Sequence, residues 1–286
     1  MIGRLLVLLQ LLLLPLGAFC TEKYYALSAD CIDVVIPCAE KDVSTLAACI
    51  RGIRQNGAGV RRIIVVSKTR LTDEAEWFDE ARYPFSKWEV TRLIYGSEEE
   101  AYRCRNEWDR IGWVLQQLLK LYAPFVIPGI SSNVLVLDAD AIFLNPVQFL
   151  NDRHGACFNT GGEWYEPYFV HGAKLIPGFQ RLYPEHSGIT HHMLLQKSIL
   201  EDLFQTVESV HHTDMWRAYC QSIERAHLYY AACSEYELYF NYALSQTSQV
   251  QIRKLKWDNT SYLSQIKNYQ TLGYHYVAAH TWERKD

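Results

Sequence analysis

The chain has 286 residues, 49% of them hydrophobic, enough for a sizeable core in one large domain or two small ones. A formal charge of −4, with no basic run beyond Arg253-Lys254-Leu255-Lys256, argues against a nucleic-acid binder that grips a phosphate backbone.

Residues 1–20 read as a secretory signal: a positive Arg4, an apolar run from Leu5 to Phe19 broken by Pro15, and small residues Gly17 and Ala18. Cleavage is expected between Ala18 and Cys20. The competing reading is an uncleaved anchor, through which alone the chain would meet a membrane. It is disfavoured because roughly 15 apolar residues at 1.5 Å each fall short of a ~30 Å hydrocarbon core. Residues 21–286 are then expected to form a single domain. Eight cysteines in a secreted chain suggest one or two disulfides, while the lack of CxxC spacing speaks against zinc. The sequon Asn259-Thr260-Ser261 is consistent with lumenal exposure.

Strand and helix signals alternate along the chain. "CIDVVIP" at 31–37 predicts a buried strand, because β-branched residues cluster there and Pro37 stops it. "VSTLAACIRGIRQNG" predicts a helix ended at Asn56-Gly57, and "VRRIIVVS" at 60–67 a second strand. "TDEAEWFDEAR" is expected to be a short acidic helix capped by Thr72 or Asp73, and "WEVTRLI" at 88–94 a third strand. A long helix over 106–124 leads, past Pro128-Gly129, into the strand "NVLVL". Such alternation predicts an α/β fold with a Rossmann-like, mostly parallel sheet covered by helices on both faces.

That last strand ends in Asp138-Ala139-Asp140 and returns at once to apolar residues. In open α/β sheets ligands sit beyond the carboxyl ends of the strands. Residues i and i+2 of an extended segment point to one side, and two carboxylates held together repel unless a cation neutralises them. The pattern therefore predicts a divalent metal with oxygen ligands, Mg²⁺ or Mn²⁺, of the kind that bridges a carboxylate to a diphosphate.

"VLVLDADAIFLNP" resembles the DxD segment of glycosyltransferases with the GT-A fold, the glycogenin-like type in particular. Other segments follow in the expected order. "IDVVIPCAEKD" resembles the opening strand and loop that contact the nucleotide base. "SGITHHMLLQKSILEDL" resembles the strand entering the sugar pocket, "SEYELYFNYAL" the acid-bearing helix, and "YHYVAAHTW" the final strand with its metal-binding histidine. This ordered set is also similar to a little-characterised group of glycosyltransferase-like proteins with "HHM" and "SEYE" segments.

The resemblance implies a metal-dependent transfer of a sugar from a nucleotide-sugar donor, UDP-linked by preference, to a glycan, protein or lipid acceptor. It assigns the metal to Asp138, Asp140 and His280, and donor contacts to Pro37 and Cys38. Arg103, Arg105 and Arg110 stand near the start of the long helix, where a guanidinium can clamp a diphosphate, and Arg110 is the preferred candidate. Lys68, past the second strand, is a candidate nucleotide contact. An inverting reaction needs a carboxylate to take the acceptor proton, so Glu235 is the expected base beside Glu237, at a helix start that Ser234 caps, with Asp138 at the reacting centre. The matching glycogenin segment reads "DQ", which leaves inversion or retention open. His191 and His192 are adjacent in a strand and face opposite sides, so one is expected in the pocket and the other in the core. The aromatic residues of "EWYEPYFV" at 163–170 serve either as an acceptor platform or as core. Two alternatives remain: a phosphohydrolase of the haloacid-dehalogenase type and a catalytically silent sugar binder. The first normally has a Thr or Val where Ile142 stands, and its motif on the first strand. Nucleotide sugars are supplied inside the Golgi and endoplasmic reticulum, so a secretory location fits the transferase.

Overall fold

In the computed structural model, residues 22–104, 110–280 and 283–285 are described; the expected signal segment, Arg105 and residues 106–109 of the expected long helix lie outside them. β1 (Ile32–Pro37) is buried along its whole length between parallel neighbours β2 (Val60–Ser67) and β4 (Asn133–Leu137). β3 (Glu76–Asp79) extends the parallel run beyond β2, and β7 (His192–Gln196) pairs antiparallel with β4, for the order β3-β2-β1-β4-β7. β1 and β4 are buried at every position because helices flank the sheet, among them α1 (Val43–Asn56) and α4 (Ile111–Val126). This is the mostly parallel α/β architecture that the alternation predicted.

Two local expectations fail, for identifiable reasons. Residues 88–94 are helical within α2 (Lys87–Tyr95). Ser86 accepts from the Glu89 backbone N–H while the Glu89 carboxylate accepts from that of Ser86, and Gly96 at φ 81° ends the helix. The cap was written in the sequence, but the β-branched run masked it. The acidic stretch instead forms β3 and a 3₁₀ turn, Glu80–Arg82. Pairing of Val66 with Phe78 buries the Phe78 ring against the edge of β2, which outweighs the local helical pattern. A short helix, α3 (Glu98–Arg103), was not foreseen.

Beyond β4 the chain builds two small sheets. β10 (Tyr276–Ala278) pairs antiparallel with β5 (Ala141–Phe143) and parallel with β9 (Trp257–Asn259). β6 (Cys157–Phe158) pairs parallel with β8 (Gln251–Ile252). Further α-helices among the described residues are α5 (Glu166–Leu175), α6 (Lys197–His211), α7 (Met215–Gln221), α8 (Glu235–Gln246) and α9 (Ile266–Thr271). Ser234 caps α8 by accepting from the Glu237 N–H, as its sequence predicts.

The expected disulfides are not found among the described residues: Cys31, Cys38, Cys49, Cys104, Cys157, Cys220 and Cys233 are all free thiols. Six of the seven are buried and pack as small hydrophobes. Among the described residues no helix is long and apolar enough to cross a membrane. Asn259 of the sequon is exposed at the end of β9.

α1 lies directly on β5, the strand that leaves the DxD turn. A Cβ on Gly52 would sit 2.7 Å from the Phe143 carbonyl oxygen, and the Asn56 amide bonds that same oxygen at 3.0 Å. Gly52→Ala should therefore cost roughly 1–3 kcal/mol by forcing helix and strand apart. Urea denaturation measures this; a variant as stable as the parent would show that α1 can shift freely.

Candidate metal centre and its charge network

Asp138 and Asp140 emerge where β4 ends, and two other strands deliver histidines to them. In the β4–β7 ladder Leu137 faces His192, and the Asp138 N–H donates to the His191 carbonyl at 2.9 Å. In the β5–β10 ladder Ala141 faces Ala278, and the Ala279 N–H donates to the Asp140 carbonyl at 3.0 Å. His280 then follows within reach of Asp140, whose Oδ2 lies 2.9 Å from His280 Nδ1. His191 holds a left-handed backbone at φ 63°, strained for a residue with a Cβ.

Ligand atoms of Asp140, His191 and His280 lie within 4.8 Å of one another. The imidazoles of His191 and His280 stand edge to face at 4.9 Å, with Trp257 against His191 at 5.2 Å. Asp140 Oδ1 is buried without a hydrogen-bond partner. A buried carboxylate oxygen left bare beside two imidazoles is a costly arrangement that a cation would relieve. Side-chain exposures of 16% for Asp140, 12% for His191 and 11% for His280 leave this cluster open to an ion.

Asp138 is committed elsewhere. Its Oδ1 accepts from Lys120 Nζ at 2.5 Å and from the Tyr236 hydroxyl at 3.3 Å, while Oδ2 faces His191 Nδ1 at 3.4 Å. Lys120 also donates to Glu235 Oε1 at 2.6 Å and to the Tyr236 hydroxyl at 3.1 Å. Its side chain is only 3% exposed. Burial by itself disfavours the Lys120 ammonium, but Asp138 and Glu235 outweigh burial and hold its pKa above the ordinary value. Burial likewise opposes ionisation of Asp138, yet Lys120 and then His191 keep its pKa well below the usual carboxylate range. For Glu235 burial prevails over Lys120 and its pKa is raised.

Of the expected ligands Asp138, Asp140 and His280, the structure brings Asp140 and His280 together with His191, while Asp138 turns toward a lysine. Glu235, the expected base, is 6% exposed at its side chain and serves as the counter-charge of Lys120. Glu237 is buried in the core, accepting from Ser187 Oγ at 2.6 Å and from the Asn241 amide at 2.9 Å. It anchors the segment that enters His191. Of the histidine pair, His191 faces the cluster. His192 packs among Phe143, Phe149 and Tyr276, bonds the Thr190 carbonyl, and is pushed down to about 3 by burial.

Pro37 and Cys38 lie at the carboxyl end of β1, where Cys38 is buried and its thiol is pushed up to about 12 by burial, then by Asp42 and Asp140. Lys68 is exposed past β2, its charge felt by Glu80. Arg110 precedes α4, its guanidinium 5.2 Å from the Trp113 ring centroid and its Nε buried without a partner. Arg103 instead pairs with Glu100 at 2.7 Å on the surface. The aromatic stretch divides: Tyr168 and Phe169 are buried, whereas Trp164 is 56% exposed, stacked on Phe169 and approached by Arg181.

Sequence reasoning missed Lys120 and Glu163. Lys120 had a signal, a lone cation inside the apolar run "LLKLY" of α4, the pattern of a buried charge awaiting partners. Glu163 lies on the exposed loop before α5; the pairing of Gly161 with Ser187 carries this loop alongside the segment that leads to His191. Partial enclosure raises the Glu163 pKa, with His191 and His280 pulling the other way.

Removing the ammonium leaves the buried Glu235 and the half-buried Asp138 without their cation. Lys120→Met should cost about 3–5 kcal/mol at neutral pH. In the parent, the lowered pKa of Asp138 stabilises the fold above the unfolded carboxylate value and is lost as pH falls through the folded one. The variant lacks that contribution, so its deficit should shrink on acidification. Denaturation curves between about pH 2 and pH 5, from above the ordinary carboxylate value down toward the folded one, check this, and a deficit of constant size would contradict the pairing.

No curated protein matches this sequence. Among the solved structures it is similar to, mouse xyloside xylosyltransferase 1 in its apo form aligns with a TM-score of 0.40 at 12% identity, over 88% of this chain and 97% of that one. A family of unknown function, DUF6492, matches residues 19–277. With that match running through the central sheet and including Asp140 and His191, though ending before His280, the chain belongs to DUF6492.

Proposed function

We propose that the chain is a metal-dependent glycosyltransferase that moves a sugar from a nucleotide-sugar donor to a glycan, protein or lipid acceptor. The observation that carries this reading is the convergence of Asp140, His191 and His280, with the bare Asp140 Oδ1, at the carboxyl end of β4. One oxygen and two imidazole nitrogens suit Mn²⁺ better than Mg²⁺, which prefers oxygen throughout. When bound, such an ion neutralises the diphosphate that leaves with the nucleotide.

The chain's own groups have separable tasks in this reading. Asp140, His191 and His280 would hold the ion. Lys120 orients Asp138, whose Oδ2 remains beside the cluster for a donor hydroxyl. Arg110, with its unpartnered Nε, is the guanidinium available to a phosphate oxygen. Pro37 and Cys38 border the nucleotide at the end of β1, and Lys68 borders it past β2. In transfer, the acceptor oxygen bonds to the anomeric carbon, the bond to the diphosphate breaks, and the acceptor proton must leave. Glu235 is sealed behind Lys120, so Glu163 is the carboxylate an acceptor can reach. A secretory location, with the N-terminal segment as signal, supplies the nucleotide sugar and completes the reading.

Thermal unfolding with Mn²⁺ and UDP, GDP or their sugars tests the reading. The right nucleotide at 100 times its dissociation constant should stabilise by about 2.7 kcal/mol. Asp140→Asn and His191→Ala should each abolish that gain while leaving the apo protein folded; an undiminished response in both would falsify the site. Metal affinity should also fall on acidification. Burial lowers the His280 pKa, but Asp140 more than offsets it and the net value is raised, so protons compete with the ion there.

Once a donor is found, Glu163→Gln separates the stereochemical outcomes. Loss of a general base should lower kcat roughly 10²–10⁴-fold with KM little changed. Unchanged turnover would point to a retaining reaction that needs no such base.

A further inference from the structure

A polar cavity of about 290 Å³ lies on the β6–β8 sheet and shares no lining residue with the Asp140–His191–His280 cluster. Its walls carry Arg153, Arg253, Gln148, Gln251, Cys157 and the single acid Asp152. Two guanidinium groups thus face one carboxylate.

The walls are built rather than incidental. Asn151 accepts from the backbone N–H groups of Arg153 and Gly155 at 2.9 Å and donates to the Gln249 carbonyl at 2.9 Å. A Cβ on Gly155 would lie 1.8 Å from that carbonyl oxygen, so the loop bearing Arg153 is pressed against the segment leading into β8. Gln251 donates to Cys157 Sγ at 3.3 Å across the paired strands.

Arg253 is the unexplained group. It follows β8, its backbone N–H donating to the Phe158 carbonyl at 2.7 Å, and its side chain is half-buried. Nε is buried without a hydrogen-bond partner. Burial pushes the guanidinium pKa below that of an ordinary arginine, with Cys157 the opposing influence. An arginine cannot shed its proton at any accessible pH, so it cannot escape this cost by neutralising. A charge kept half out of water, sharing its cavity with the single acid Asp152 and making no ion pair among the described residues, calls for an anion from outside.

We propose that this cavity binds an oxyanion group, a phosphate, sulfate or carboxylate, with Arg253 at its floor and Arg153 at its mouth. Paired guanidinium groups give the planar, multidentate donors that such oxygens prefer. The anion is either free in solution or carried on a sugar, and the two sources share the same chemistry.

The test is thermal unfolding of the full chain at constant ionic strength, with chloride replaced stepwise by inorganic phosphate, sulfate or glucuronate. The wild-type protein should show a saturable rise in Tm with at least one of them. Arg253→Gln should lose that rise and, in chloride alone, melt no lower than wild type, because the unpaired half-buried charge is gone. Arg153→Gln, at the exposed mouth, should weaken the midpoint about tenfold, the weight of one charge-assisted hydrogen bond. A lower midpoint for glucuronate than for the inorganic anions assigns the site to a sugar-borne carboxylate; the reverse assigns it to a free anion. Absence of any saturable rise, or an equal rise in Arg253→Gln, overturns the proposal. Should Arg253→Gln not fold, an unchanged midpoint in Arg153→Gln overturns it by itself. Nucleotide and Mn²⁺ play no part in these readouts, so failure here leaves the metal centre untouched.

Discussion

The ammonium of Lys120, enclosed by Asp138, Glu235 and the Tyr236 hydroxyl, is the interaction around which the rest of this structure is arranged. It joins three elements that the chain reaches at distant points: α4, the end of β4 and the start of α8. A buried cation with two carboxylates tolerates little displacement, since losing either partner leaves a charge uncompensated. The geometry at the end of β4 is therefore set from behind, by the core, before any ligand arrives.

That buried contact also divides labour within the DxD turn. Two adjacent carboxylates facing one ion would repel in its absence. Here one is neutralised by lysine and the other is left to the histidines, so the two carboxylates do not stand against each other uncompensated. His191 takes part because β7 runs antiparallel to β4 and because its backbone accepts a left-handed conformation at φ 63°. Strain at a position that aims a side chain into a polar cluster is a common mark of a working site.

The second cluster of unpaired charge, at Arg253, follows the same physical logic with the sign reversed. A bare carboxylate oxygen at Asp140 asks for a cation, and a bare guanidinium nitrogen at Arg253 asks for an anion. In both places the neighbouring backbone is held tightly, by strand ladders at one and by the Asn151 loop at the other. Structural cores rarely keep such groups unsatisfied without a reason.

The sequence by itself determined the alternation of buried strands with amphipathic helices, the Ser234 cap of α8, and two acids where β4 leaves the core. These rest on local periodicity, capping and the placement of charge beside apolar runs, all readable within a dozen residues. The 88–94 segment was misread because its β-branched residues spoke louder than the Ser86–Glu89 cap, and the 72–82 segment because pairing with β2 is not local. The Asp140–His191–His280 cluster lay further out of reach. His191 or His192 could face the acids with equal right until the register of β7 on β4 was set, and Lys120 was one cation on an apolar helix with no visible partner. Glu235 read as an exposed base because its helix start was evident and its burial was not. Only the tertiary structure decides which charges meet, because ion pairing depends on separations through space that one-dimensional spacing does not encode.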